Sequence, residues 1–411
     1  MTDTLGILEH FNYVQTRKSK QYLLDFFNKD VYDIKQTLYT QEILKLFLEN
    51  FNIINSYKIN DNTIVTVQRF LDEINVNNYN FITRFRYRRY FKDINTNLLL
   101  FINLFYYFGT VLRSFISLDI CILYSTKIKD ILEFIDSFSV NNYYNKDLDF
   151  EKRKNILKKI EINIKNKNFE EFWIFFFMFD VYSSISKGIK SQGLVFPYFN
   201  SSHDFVIEEF YHMDVLKPIK NSIKVEKSNT VIFTGANMSG KSTAMKSISS
   251  VVLLAHLGIA VPATYCNIPF YDKIFLFFSV NDDIKKGHSF FVQEIINLKK
   301  VLLELKSKKC FAVFDEIFKG TNINDATAIT INTIKGLNKF DESLFVLSTH
   351  LNTIEDDVIV NEKNLVLNLE CFLENENLLF TYKLKKGWAK IEVGKILFEK
   401  YGLKDLLNFS K

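Results

Sequence analysis

The run Gly235-Ala236-Asn237-Met238-Ser239-Gly240-Lys241-Ser242 is where residue types and spacing speak most directly of chemistry. It fits G-x-x-x-x-G-K-S/T at every fixed position. Glycines at such places let the backbone turn tightly and aim its N–H groups at phosphate oxygens. The context fits as well. The apolar run TVIF (230–233) reads as a strand leading in, and Ser242 to Leu257 reads as a helix leading out. The helix start adds the positive end of its dipole. Lys241 would place a cation on the β- and γ-phosphates of ATP, and Ser242 would ligate Mg²⁺. Thr243 closes the candidate nucleotide loop.

Three further segments could join it. CFAVFDEI (310–317) is an apolar strand ending in Asp315-Glu316. Asp315 would hold Mg²⁺ through water, and Glu316 would orient or deprotonate an attacking water. SLFVLSTH (343–350) ends in Ser348-Thr349-His350. Strand ends along one edge of a parallel sheet gather around a bound nucleotide, so His350 could sense the γ-phosphate or position water. The run from Asn281 to Glu294 carries Gly287 and Ser289 just before a helical stretch, which on residue type alone makes Ser289 an N-cap.

The elements that must position these groups can be read in outline. All four prolines (Pro197, Pro218, Pro262 and Pro269) follow residue 196, and up to residue 190 the glycines are Gly6, Gly109 and Gly188. A long stretch without breakers, with apolar residues such as Leu23, Phe26 and Phe27 at helical spacing, predicts an all-α part. KRKNILKKIEINIKNKN predicts a charged surface helix. From about Gly193 the texture changes. Strands at 230–233, 273–280, 310–317 and 343–350 alternate with helices at Ser242 to Leu257, Ser289 to Leu305 and Asp325 to Leu337. That order predicts a mainly parallel sheet covered on both faces. Ile391 to Leu407 reads as helical again.

Composition sets the bounds. The chain has 411 residues, 47% of them hydrophobic, which is enough for two or three cores. Its net charge of +5 permits nucleic-acid contact without arguing for it. The cysteines (Cys121, Cys266, Cys310 and Cys371) are dispersed, with no C-x-x-C pair, which argues against zinc and against a disulfide scaffold. The N-terminus shows no secretory h-region, so a cytoplasmic location is expected. Ile94 to Leu112 is uncharged, but its dense apolar part is short for a span and asparagines interrupt it. A buried helix is the preferred reading there, and a membrane-associated ATPase is the alternative.

TGANMSGKST, then VPATYCNIPFYDKIFLFFSVNDDIKKGHSFFVQE, then FAVFDEIFKGTN, then LSTHL resemble the ATPase domain of the MutS family in order and spacing. Asn237, Met238 and Gly240 to Thr243 match the family's T-G-P-N-M-x-G-K-S-T. Asp282, Asp283, Gly287, Ser289, Phe291 and Glu294 match its S-D-D-x-x-x-x-G-R-S-T-F-x-x-E, with His288 replacing Arg and Phe290 replacing Thr. The start, LGILEHFNYVQTRKSKQYLLDFF, is similar to the beginning of the family's helical core. The tail, FTYKLKKGWAKIEVGKILFEKYGL, is similar to the stretch entering its dimerisation helices.

The resemblance implies a P-loop ATPase domain of the ABC type, with a mainly parallel sheet, preceded by an all-α core and lever domain. The boundaries expected are 1–205 for the helical domain, 206–385 for the ATPase and 386–411 for the dimerising segment. It also implies a dimer, with itself or with a related MutS-like subunit, in which Ser289 faces the partner's nucleotide. DNA is the implied ligand, bound without sequence specificity, and repair or recombination the implied setting. No G-x-F-x-E motif is present, so a chain without the family's mismatch-reading front end is expected. The cluster Arg84 to Lys92 fits either phosphate contact or a solvated helix face. A nucleotide-switched dimer acting on a protein partner is the other functional alternative. Adenine contacts are expected in the loop near Leu216.

Overall fold

The computed structural model describes residues 5–29, 32–74, 79, 88–115, 121–235, 238–278, 290–359, 361–374, 377–389 and 393–408. They form two compact units. One comprises Phe11–Phe27 and Tyr39–Ser191, and the other Met1–His10, Asn28–Leu38 and Gln192–Lys411.

The first unit is helical. Its helices are α1 (Arg17–Phe27), most of α2 (Ile34–Glu49), α3 (Phe51–Ser56), α4 (Asp61–Glu73), α5 (Arg88–Phe115), α6 (Ile122–Ser137), α7 (Val140–Tyr143), α8 (Phe150–Lys165) and α9 (Asn168–Gln192). The helix starts follow local chemistry. The Asn60 side chain accepts the Asn62 N–H at 2.9 Å, and Asp149 accepts that of Lys152 at 2.8 Å. α9 is densely aromatic in its first half and buries residues from Phe169 to Ile189, as a helix packed within a core does.

The uncharged run in α5 serves that core. Leu98, Phe101, Phe105, Phe108 and Leu112 are buried. Phe105 stacks on Phe172 of α9 at 4.4 Å, and Phe108 meets Phe176 at 4.8 Å. Asn95 accepts a hydrogen bond from Tyr79 at 2.9 Å. Phe91–Phe115 is long and apolar enough to cross a membrane by length and composition, but it spends most of its apolar face on other helices. The lysine-rich segment forms α8. Ile156, Leu157 and Ile160 face inward while Ile162 is exposed, as an amphipathic surface helix requires.

The second unit is built on a six-stranded sheet in the order β10-β9-β4-β8-β7-β6. Its strands are β4 (Thr230–Thr234), β6 (Lys273–Phe277), β7 (Cys310–Phe314), β8 (Leu344–Ser348), β9 (Asn364–Glu374) and β10 (Asn377–Lys386). All neighbours pair in parallel except β9 and β10. β4, β7 and β8 are buried at every residue, as expected of strands covered on both faces. A smaller sheet has the order β1-β5-β2-β3, from β1 (Tyr198–Asn200), β2 (Phe205–Phe210), β3 (Asn221–Val225) and β5 (Tyr265–Pro269).

The helices of this unit are α10 (Lys241–His256), α11 (Phe290–Glu304), α12 (Ile323–Leu337), α13 (Glu355–Ile359), α14 (Val393–Lys400) and α15 (Leu403–Asn408). α12 starts two residues before the expected position because Asn322 caps it, accepting the Asp325 N–H at 2.9 Å. The helical tail is broken rather than continuous. Gly402 sits at φ +66 and its N–H bonds the Glu399 carbonyl at 2.9 Å, which ends α14.

His256, at the end of α10, is fully buried. The Tyr271 N–H donates to its Nε2 at 2.8 Å, so Nδ1 carries the proton and donates to the Val252 carbonyl at 2.7 Å. Burial pushes its pKa down to about 4. The unfolded chain therefore takes up the proton first. Stability is complete above the ordinary histidine value of 6.5 and falls as pH drops from there toward about 4. The loss is at most about 1.4 kcal/mol per pH unit. Denaturation midpoints at pH 7 and pH 5 should diverge more in the wild type than in His256→Gln. Equal divergence in both would assign the acid sensitivity elsewhere.

Candidate functional site

Register decides which residues meet. In the sheet Phe233 pairs with Ser348, and Leu347 with Phe314. The residues just beyond these strands, from Gly235, Asp315 and Thr349 onward, therefore emerge at one end of the sheet.

After β4 the chain turns through left-handed backbone. Gly235 has φ +121, Met238 +70 and Gly240 +97. Glycine suits the outer two, since a side chain at such angles is strained. A Cβ at Gly240 would also lie 3.1 Å from the Tyr382 ring. Ala236 and Asn237 lie outside the described residues. Ser239 is buried, while Ser242 and Thr243 are exposed on the first turn of α10. Lys241 is buried at the same turn and its Nζ donates to the Gly235 carbonyl at 2.6 Å. Burial pushes its pKa down to about 8, against the opposing pull of Glu316 and Asp315. A desolvated ammonium beside a glycine-rich turn and a helix start fits a polyphosphate, whose charge would favour the cation.

The second half of the site hangs on Ser348. Its Oγ accepts the Glu316 N–H at 2.6 Å and donates to Asp315 Oδ1 at 2.8 Å. Asp315 is nearly buried. Glu316 has φ +58, and both of its carboxylate oxygens are engaged. Oε1 pairs with His350 Nε2 at 2.9 Å and Oε2 with Lys319 Nζ at 2.8 Å. Burial alone would raise the Glu316 carboxyl, but the hydrogen bonds from Lys319 and His350 outweigh it and hold the pKa below the ordinary value. Glu316 is thus a carboxylate at neutral pH and can accept a proton. Asp315 and the Ser242 hydroxyl supply the hard oxygens a Mg²⁺ ion takes.

Beside the loop is a cleft of about 580 Å³, bounded by Gly240 and Thr243 and lined by Val215, Pro218, Ile219 and Tyr382. It has the apolar walls a base would use. Leu216 itself is fully exposed, and its neighbours line the cleft instead. Tyr382 is placed by an irregularity in β10 where the register shifts and φ reaches +57. Asn221 fastens it, donating to the Tyr382 carbonyl and accepting the Leu384 N–H, both at 2.9 Å. Reading motifs along the chain misses Tyr382, and it includes Ser348 in Ser348-Thr349-His350 without giving that serine a role. Ser289, Asp282, Asp283 and Gly287 lie outside the described residues, as do Arg84 and Arg86; Arg89 and Lys92 are exposed.

A glycine-rich loop after a central parallel strand, with Asp-Glu and Ser-Thr-His at neighbouring strand ends, defines a P-loop nucleotide-binding domain. Residues 231–403 match the family described as MutS domain V. The chain is 31% identical over 228 residues to the DNA mismatch repair protein MutS of Alkaliphilus oremlandii, covering 52% of this chain and 25% of that protein. It is 31% identical over 216 residues to the MutS of Acholeplasma laidlawii, covering 51% and 25%. Against the MutS of Streptococcus gordonii it is 31% identical over 184 residues, covering 43% and 22%. These matches span about a quarter of each relative's length. Residues 231–403 are thus similar to MutS domain V, the ATPase-type part of these relatives.

Removing the Ser348 hydroxyl should leave the half-buried Glu316 N–H and one buried Asp315 oxygen without this partner. Ser348→Ala is expected to lower unfolding stability by about 1–3 kcal/mol in denaturant titrations. A variant as stable as wild type would mean that these groups find other partners at no cost.

Proposed function

We propose that this chain is an ATP-hydrolysing protein of the MutS type that works on DNA as a dimer. The observation that supports the reading is that Gly235 and Lys241 lie with Asp315, Glu316 and His350 at one sheet end, within residues that match MutS domain V. The reaction is ATP + water to ADP + phosphate, by in-line attack.

The amides of Gly235, Ala236, Asn237, Met238, Ser239 and Gly240, together with Thr243, hold the phosphates. Lys241 exchanges its bond to the Gly235 carbonyl for the β- and γ-phosphates and stabilises their charge. Ser242 and Asp315 would hold Mg²⁺, which neutralises phosphate charge when bound. Glu316 takes the proton of the attacking water or orients it, and His350 fixes the Glu316 carboxylate from one side while Lys319 does so from the other. The cleft bounded by Tyr382 and Ile219 receives the base.

In this reading residues 1–205 act as the helical lever, 206–385 as the ATPase and 386–411 as the dimerising segment. The partner is a second copy or a related MutS-like subunit, with Ser289 reaching across to its nucleotide. The DNA contact is not sequence-specific, the location is cytoplasmic and the role lies in DNA repair or recombination.

Lys241→Ala should lose ATP binding and turnover together. Glu316→Ala should bind ATP with near wild-type affinity while turnover falls by about 10²–10⁴-fold. Equilibrium binding and phosphate release separate the two. Wild-type turnover in Glu316→Ala would remove Glu316 from the mechanism.

A further inference from the structure

The segment after β7 is held in a costly conformation. Glu316 and Phe318 both have left-handed backbone, at φ +58 and +59. Non-glycine residues stay there only when surrounding contacts dictate it. Ser348 supplies the contacts at the front, where its Oγ binds the Glu316 N–H and its carbonyl accepts the Ile317 N–H at 3.2 Å.

The contacts at the back come from α11. Glu294 Oε1 accepts the Phe318 N–H at 3.0 Å. The Phe318 ring, fully buried, meets Phe291 at 6.2 Å. A Cβ at Gly320 would lie 3.0 Å from the Phe291 nitrogen, so the loop runs directly against the first turn of the helix.

We infer that Glu294 is a positioning residue for hydrolysis, locking the Glu316 segment to the start of α11 so that Glu316 keeps its geometry only while that helix is in place. This rests on the ATPase reading of the site. The surroundings of Glu294 suit such a role. Its Oε2 is buried with no hydrogen-bond partner among the described residues. Burial pushes its carboxyl up to about 7, against the amides of Phe318, Lys319 and Gly320 and the Lys319 ammonium. Lys319 bonds Glu316, and its charge also pulls down the Glu294 carboxyl, so one cation acts on both carboxylates.

The test compares the full-length wild type with Glu294→Ala and Glu294→Gln. In Glu294→Ala, kcat should fall by about 10- to 100-fold while ATP affinity stays within about threefold. Amides at 316–320 should exchange faster with solvent. Glu294→Gln keeps an acceptor oxygen and should restore both turnover and protection to within about threefold of wild type. Unchanged turnover and exchange in Glu294→Ala would overturn the inference. So would an equal loss of turnover, affinity and melting temperature in both variants, which marks a merely structural residue. A wild type that hydrolyses no ATP would defeat the ATPase reading instead, and the exchange of 316–320 would still decide the coupling.

Discussion

The Ser348 hydroxyl joins two strands' worth of chemistry through one oxygen. It accepts from the Glu316 backbone and donates to the Asp315 carboxylate, so the last residue of β8 sets the direction of both acidic groups after β7. That bridge is possible only because β7 and β8 are paired in parallel and in this register. A one-residue slip would turn Ser348 to the other sheet face. The same pairing brings His350 to Glu316, and β4 on the other side of β8 delivers Lys241.

Charge is arranged around these contacts so that each group has one task. Lys241 is desolvated and donates to the Gly235 carbonyl of its own loop, and a desolvated ammonium suits a phosphate. Glu316 is kept ionised by Lys319 and His350 despite partial burial. Glu294 lies half-buried behind the same loop with its pKa raised to about 7. Neighbouring carboxylates with pKa values driven apart are a usual mark of divided roles. In the proposed mechanism Glu316 handles water and Glu294 holds the backbone that carries it.

What the sequence made legible follows the range of each interaction. The phosphate loop could be read because its chemistry lies within one short segment between a strand and a helix. The parallel sheet could be read from fully apolar strands, and the helical unit from its lack of prolines and glycines. Short or half-exposed strands left no such trace. β1, β2 and β9 bury only part of their residues without a clean alternation, and β3 alternates over only five residues. Ser348 acts across 32 residues and Glu294 across 24, so no local spacing reveals either. Phe291 and Glu294 matched the family signature, yet their contact with the Gly320 segment needed the fold. Tyr382 depends on a register shift, and the break at Gly402 on a single left-handed residue.

The proposed function is that of a MutS-type ATPase whose turnover is coupled to DNA. The most direct measurement is the steady-state ATPase rate of the purified protein with no DNA and with duplex, mismatched and branched DNA, at low and moderate salt. Stimulation by at least one DNA form, weakening as salt rises, is the expected result. Hydrolysis at one rate under all of these conditions would contradict coupling to DNA and favour a nucleotide switch acting on a protein partner.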